Sequence, residues 1–64
     1  MENNFSKILG ERLLKISDVH KGTGISKTTL ANIYFKRSKD MKVSTLLMIC
    51  NFLDVSILDF LGGE

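Results

Sequence analysis

Thr28 and Asn32 stand four positions apart, flanked by Lys27, Thr29, Ala31 and Lys36. Hydroxyl, amide, methyl and ammonium groups in this spacing neither activate a nucleophile nor relay a proton. They suit the edges of bases: an amide pairs with adenine, a hydroxyl with either kind of partner, a methyl with the thymine methyl, and cations meet phosphates. The surrounding charge agrees. Val19 to Lys39 holds five basic residues (Lys21, Lys27, Lys36, Arg37, Lys39) and no acidic one. Met1 to Asp18 balances three bases against three acids, and Asp40 to Glu64 sets four acids against Lys42. The net charge of +2 therefore conceals a basic middle third, the pattern of a surface facing a polyanion.

Catalysis finds no footing in the chain. It has no nucleophile beside a general base, no carboxylate pair and no metal-ligand cluster, and Gly22-Thr23-Gly24 lacks the strand and lysine spacing of a phosphate-binding loop. Cys50 is the single cysteine and His20 the single histidine, so neither a disulfide nor a zinc site can form within the chain. Cys50 stands among Leu46, Leu47, Met48, Ile49, Phe52 and Leu53, the setting of a buried small hydrophobe rather than a reactive thiol. His20 has the chemistry of a pH switch or a ligand, yet a lone histidine on a short helix is more often packed or hydrogen-bonded. No enzymatic activity, cofactor or metal is expected. The start, Met1–Ser6, is polar and no apolar run reaches membrane-spanning length, so a cytoplasmic protein without signal peptide or membrane partner is expected.

Helices must position these groups, because apolar residues recur at three and four places and do not alternate as strands require. Sixty-four residues suffice for one domain with a small core. Phe5, Ile8, Leu9 and Leu13 mark one face of a helix over about Asn4–Leu14. A short helix over about Ser17–Thr23 follows, with Val19 as its anchor and Gly24 as its stop. Three more span about Lys27–Phe35, Thr45–Leu53 and Ile57–Leu61. All three carry one start signal: an apolar residue, a serine, and a second apolar residue four places on. The sets are Ile25-Ser26-Leu30, Val43-Ser44-Met48 and Val55-Ser56-Phe60. In each the serine hydroxyl accepts from a free N–H of the first turn while the apolar pair closes a staple. Asp59 adds an acid that the dipole of the last helix favours. Gly22, Gly62 and Gly63 read as punctuation. In the fourth helix Leu46, Ile49, Cys50 and Leu53 form one face and Leu47, Met48 and Phe52 widen it, which predicts a central helix, apolar almost all round. The fold class is all-α with five helices, and one core is expected from Leu9, Leu13, Val19, Leu30, Ile33, Leu46, Ile49, Cys50 and Leu53.

Gly24 joins two of these helices through a turn so short that they must cross steeply, which is a helix-turn-helix unit. Its second helix projects a face that fits the major groove. On that helix Leu30, Ile33 and Tyr34 point to the body, and at roughly 100° per residue Thr28 and Asn32 point almost opposite.

The stretch from His20 to Leu61 resembles the Cro/C1-type (XRE-like) helix-turn-helix family of bacterial and phage regulators, in its short, single-domain form. Its most specific parts are TGIS at Thr23–Ser26, followed by a Ser/Thr-rich helix start, and STLLMICNFLDVSILDFL at Ser44–Leu61; the likeness covers about Gly10–Leu61. It implies a five-helix, lambda-repressor-like DNA-binding domain over residues 1–64, acting as a sequence-specific transcriptional regulator on operator DNA in a bacterial or phage-infected cell. Base-reading places then fall on Lys27, Thr28, Thr29 and Asn32, and phosphate contacts on Ser17, Ser26, Lys36, Arg37 and Lys39. The chain departs from the family pattern at three places. His20 replaces a small alanine, so a different crossing of the two helices is expected. Lys15 replaces a capping hydroxyl, so a late start at Ser17 is expected. Phe35-Lys36 replaces an asparagine-glycine, so the loop Lys36–Lys42 is expected to differ and an exposed Phe35 calls for an explanation.

The family usually forms homodimers on palindromic sites. Here Ile57, Leu58, Phe60 and Leu61, with Val55, crowd more apolar surface onto a short terminal helix than one side can bury, which makes that end the expected dimer interface. The competing reading is a helix-turn-helix fold that serves as a protein-interaction module, of anti-repressor or antitoxin-like kind, through exposed Phe35 and the acidic, apolar C-terminal end.

Overall fold

Five helices follow one another in the computed structural model: α1 (Phe5–Arg12), α2 (Ile16–Thr23), α3 (Lys27–Tyr34), α4 (Val43–Leu53) and α5 (Ile57–Leu61). The structure describes residues 3–37, 39 and 41–62, and no strand occurs among them. Met1 and Glu2 of the polar start, Ser38 and Asp40 of the loop, and Gly63 lie outside the described residues, as does Glu64.

Two of the three serine starts are found. Ser26 Oγ accepts from the Thr29 N–H at 3.1 Å and Ser56 Oγ from the Asp59 N–H at 3.0 Å. Each is bracketed by an apolar pair turned inward, Ile25 with Leu30 and Val55 with Phe60. The third expectation fails. α4 starts at Val43 with Lys42 at the cap, so Ser44 lies inside the helix. The bracketing pair shifts with it to Met41 and Leu46, which pack against the core, while Val43 and Met48 stay exposed. α2 likewise begins earlier than its hydroxyls indicate. The Asp18 carboxylate accepts from the Lys15 N–H at 2.8 Å, and this reciprocal half of a capping box starts the helix at Ile16. The late start at Ser17 is not observed.

α1 also ends sooner than expected. Leu13 takes the left-handed conformation (φ 56°), and the Leu13 and Leu14 amides donate to the carbonyls of Gly10 and Leu9 at 3.3 and 2.9 Å. These are the two bonds of a Schellman termination. Leu13 therefore leaves the helical progression that placed it on the inner face; it is 91% exposed, and Leu14 packs against the core instead.

The core joins all five helices: Phe5, Ile8 and Leu9, Val19, Leu30 and Ile33, Ile49, Cys50 and Leu53, and Phe60. Leu46 is partly buried at its edge. Burial pushes the Cys50 thiol pKa up, in keeping with an inert thiol. α4 is covered on one side only, because Val43, Leu47, Met48 and Phe52 remain exposed. It contributes to the core without being enclosed by it. Gly22 lies inside α2 rather than in a turn. A Cβ there would meet the Phe52 ring at 2.0 Å, so the missing side chain is what lets that ring approach.

Two adjacent asparagines tie the start of the chain to the ends of distant helices. Asn3 is buried; its Nδ2 donates to the Ile33 carbonyl at 3.2 Å and its Oδ1 accepts from the Phe5 N–H at 2.9 Å. Asn4 donates its backbone N–H to the Phe60 carbonyl at 2.7 Å and its Nδ2 to the Asp59 carbonyl at 2.8 Å. Arg12 donates in the same way to the Leu53 carbonyl at the end of α4. The last carbonyls of a helix lack partners within it, and these side chains, with the Asn4 N–H, supply them. No helix among the described residues is long and apolar enough to cross a membrane.

Candidate nucleic-acid interface

The turn between α2 and α3 is held by side chains from α2. Gly24 adopts a left-handed conformation (φ 79°) that an L-residue adopts only with strain, and its N–H donates to the His20 carbonyl at 2.8 Å. The next residue, Ile25, is gripped from both sides. Its carbonyl accepts from His20 Nδ1–H at 2.7 Å, and its N–H donates to Thr23 Oγ1 at 3.2 Å. The Thr23 hydroxyl in turn donates to the Val19 carbonyl at 2.7 Å. His20 is thus a hydrogen-bonded helix residue that holds the turn, in line with the expectation of a packed or hydrogen-bonded histidine. α3 starts two residues after the clamped Ile25, capped by Ser26.

Inward, Leu30 and Ile33 fix α3 in the core and Tyr34 packs beside them. Burying two large aliphatic side chains stabilises this seat by roughly 1.5–3 kcal/mol each. Outward, Lys27, Thr28 and Thr29 are exposed and Asn32 is half-buried. Thr29 Oγ1 accepts from the Ser26 hydroxyl at 2.9 Å. The wheel reading of this helix, one face into the body and a polar face without acids outward, is what the structure contains.

At its other end α3 closes without glycine. Lys36 is left-handed (φ 59°), its N–H donates to the Ile33 carbonyl at 3.1 Å, and the Arg37 N–H donates to the Asn32 carbonyl at 2.8 Å. The chain therefore makes a Schellman termination with a lysine where glycine would carry no strain. Beyond it, Arg37 Nε donates to Asn32 Oδ1 at 3.3 Å, and the guanidinium lies over the Phe35 ring at 5.1 Å from its centroid. Phe35 meets Tyr34 edge-on at 4.9 Å. Its 58% exposure thus has an explanation in the chain itself: one face of the ring supports an arginine.

The expected contact residues are all described. Lys27, Thr28, Thr29 and Asn32 lie along α3, with Ser26 at its cap and Lys36 and Arg37 just past its end. Ser17 sits in the first turn of α2, half-buried, where free backbone amides favour an anion, and Lys39 is exposed in the following loop. At the expected dimer end Ile57, Leu58 and Leu61 are exposed and Val55 is partly buried. Phe60 is not available there. It is fully buried against Phe5, with ring centroids 5.9 Å apart, because the position four after the Ser56 cap turns inward. Sequence reasoning missed the Arg37–Asn32 bond and both asparagines at the start. An aromatic next to a basic residue just beyond a helix is a usable signal for the first; nothing local announces the second. No group of His, Cys, Asp and Glu able to hold a metal occurs among the described residues.

A model of the Cro/C1-type HTH DNA-binding domain matches residues 4–63. No curated protein and no solved structure matches the chain.

Proposed function

Because the chain belongs to the Cro/C1-type helix-turn-helix DNA-binding family, we propose that it is a repressor-like transcriptional regulator that reads operator DNA with α3 in the major groove. One observation carries this reading. The outward face of α3 offers only hydroxyls, an amide, a methyl and cations, and no acid occurs between Val19 and Lys39 to repel phosphates. Lys27, Thr28, Thr29 and Asn32 touch base edges; Ser17, Ser26, Lys36, Arg37 and Lys39 touch phosphates. Two copies bind a palindrome, with recognition helices about one DNA turn of ~34 Å apart. Ile57, Leu58 and Leu61 meet across the two-fold axis.

Thr28→Ala and Asn32→Ala are expected to lose ~1–3 kcal/mol of preference for the cognate site per good contact. Lys36→Ala and Lys39→Ala are expected to weaken all duplexes alike and to flatten the salt dependence. Mobility shifts on cognate and random duplexes across a salt series separate the two; equal losses on both duplexes for the first pair refute the assignment. The exposed apolar side chains Val43, Leu47, Met48 and Leu58 favour a second reading, a protein partner in place of DNA. A salt-insensitive complex with protein and no shift of any duplex would establish that one.

A further inference from the structure

We infer that Phe35 and Arg37 are positioning residues for base recognition: they hold the Asn32 carboxamide with its oxygen turned to the protein, so that α3 presents its NH2 as a donor. The inference rests on the reading of α3 as the recognition helix and deepens it. Arg37 Nε donates to Asn32 Oδ1 at 3.3 Å. Arginine has no acceptor, so the amide atom facing it is the oxygen, and the NH2 lies on the opposite side of the carboxamide. The guanidinium is held in turn, 5.1 Å from the Phe35 centroid and inside the ~6 Å over which a ring face attracts a cation.

The support is continuous with the core. Phe35 leans on Tyr34 at 4.9 Å, Tyr34 on Phe5 at 6.1 Å, and Phe5 on Phe60 at 5.9 Å. The backbone favours the same arrangement, since left-handed Lys36 turns the chain back until the Arg37 N–H reaches the Asn32 carbonyl at 2.8 Å. Side chain and main chain of Arg37 therefore both return to Asn32.

The consequence is a specificity. An asparagine that reads adenine uses both its groups, accepting from N6–H2 and donating to N7, whereas guanine presents two acceptors, N7 and O6. The Arg37 bond takes one of the oxygen's two lone pairs and holds the carboxamide with its oxygen away from the bases, so Asn32 matches guanine better than adenine.

Selection of sites from a randomised duplex pool tests this. The position whose preference disappears in Asn32→Ala identifies the contacted base, and the native protein is expected to prefer guanine there. Arg37→Lys keeps the charge but loses the planar fork, and Phe35→Leu keeps apolar bulk but loses the ring face. Both are expected to move that one position toward adenine by about tenfold, while Phe35→Tyr keeps the native preference. An adenine preference in the native protein, or a guanine-to-adenine ratio unchanged in both variants, overturns the inference. If the native protein selects no sequence at all, the recognition-helix reading falls and the inference with it. A DNA-free arm separates the two. The Arg37 Nε–H resonance is expected to carry a ring-current shift that Phe35→Leu removes, with circular dichroism unchanged. A resonance that does not move overturns the inference and leaves the reading of α3 standing.

Discussion

The two ends of α3 are held by different physics. At the start the devices are all local: a left-handed glycine, a serine cap bracketed by the apolar pair Ile25 and Leu30, and His20 and Thr23 gripping Ile25, the residue before the cap. At the far end a lysine takes the strained backbone conformation, and a guanidinium over a ring braced edge-on by Tyr34 supplies the contact that returns to the helix. The first end positions the helix as a whole. The second positions a single side chain on it. Rigid placement and fine orientation are thus supplied by different residues, and variants can separate them.

The largest effect is expected at the anchor both ends share. Leu30 is fully buried, so Leu30→Ala is expected to cost ~2–5 kcal/mol. At roughly 0.05–0.15 kcal/mol per residue a domain of this size has only about 3–10 kcal/mol in total, so urea unfolding near 10 °C should show most of the stability gone. A loss below about 1 kcal/mol would mean that α3 is not seated through this residue.

Ser26→Ala comes next, at about 1 kcal/mol, because the first-turn N–H of Thr29 loses its acceptor. The shift in the urea midpoint reads it directly. An unchanged midpoint would show that the His20–Thr23 clamp alone holds the start of the helix, and the contrast between the ends would narrow.

The smallest effect has the opposite sign. A left-handed L-residue costs ~1–2 kcal/mol, and the extra freedom of glycine in the unfolded chain takes back ~0.4–1. Lys36→Gly is therefore expected to stabilise by about 0.5 kcal/mol, and Lys36→Ala, which loses the same charge but keeps the strain, is not. Equal midpoints for the two variants would break the claim that this end is strained.

The start of α3 was legible and its end was not, for the same reason. Ser26, Gly24 and the apolar pair around the cap act within seven residues, Gly24 to Leu30, so their types and spacing state the structure. The helix periodicity gave the faces of α3 for similar reasons. Lys36 carries no mark of a left-handed conformation, because the preference of its side chain is against it and the surrounding fold overrides that preference. Leu13 and Ser44 show the converse: good local signals, an inner-face spacing and a cap hydroxyl, lost to the Schellman turn of α1 and to an earlier start of α4. Asn3 and Asn4 act on carbonyls at Ile33, Asp59 and Phe60, far along the chain, and no local pattern reaches that distance.

The central claim is that α3 enters the major groove, and backbone amide shifts on adding a selected duplex test it most directly. The account predicts changes concentrated from Ser26 to Arg37 and in the first turn of α2 around Ser17, weakening as salt is raised. Changes confined to Val43, Leu47 and Met48 on the open side of α4, or no change at any duplex concentration, would contradict it.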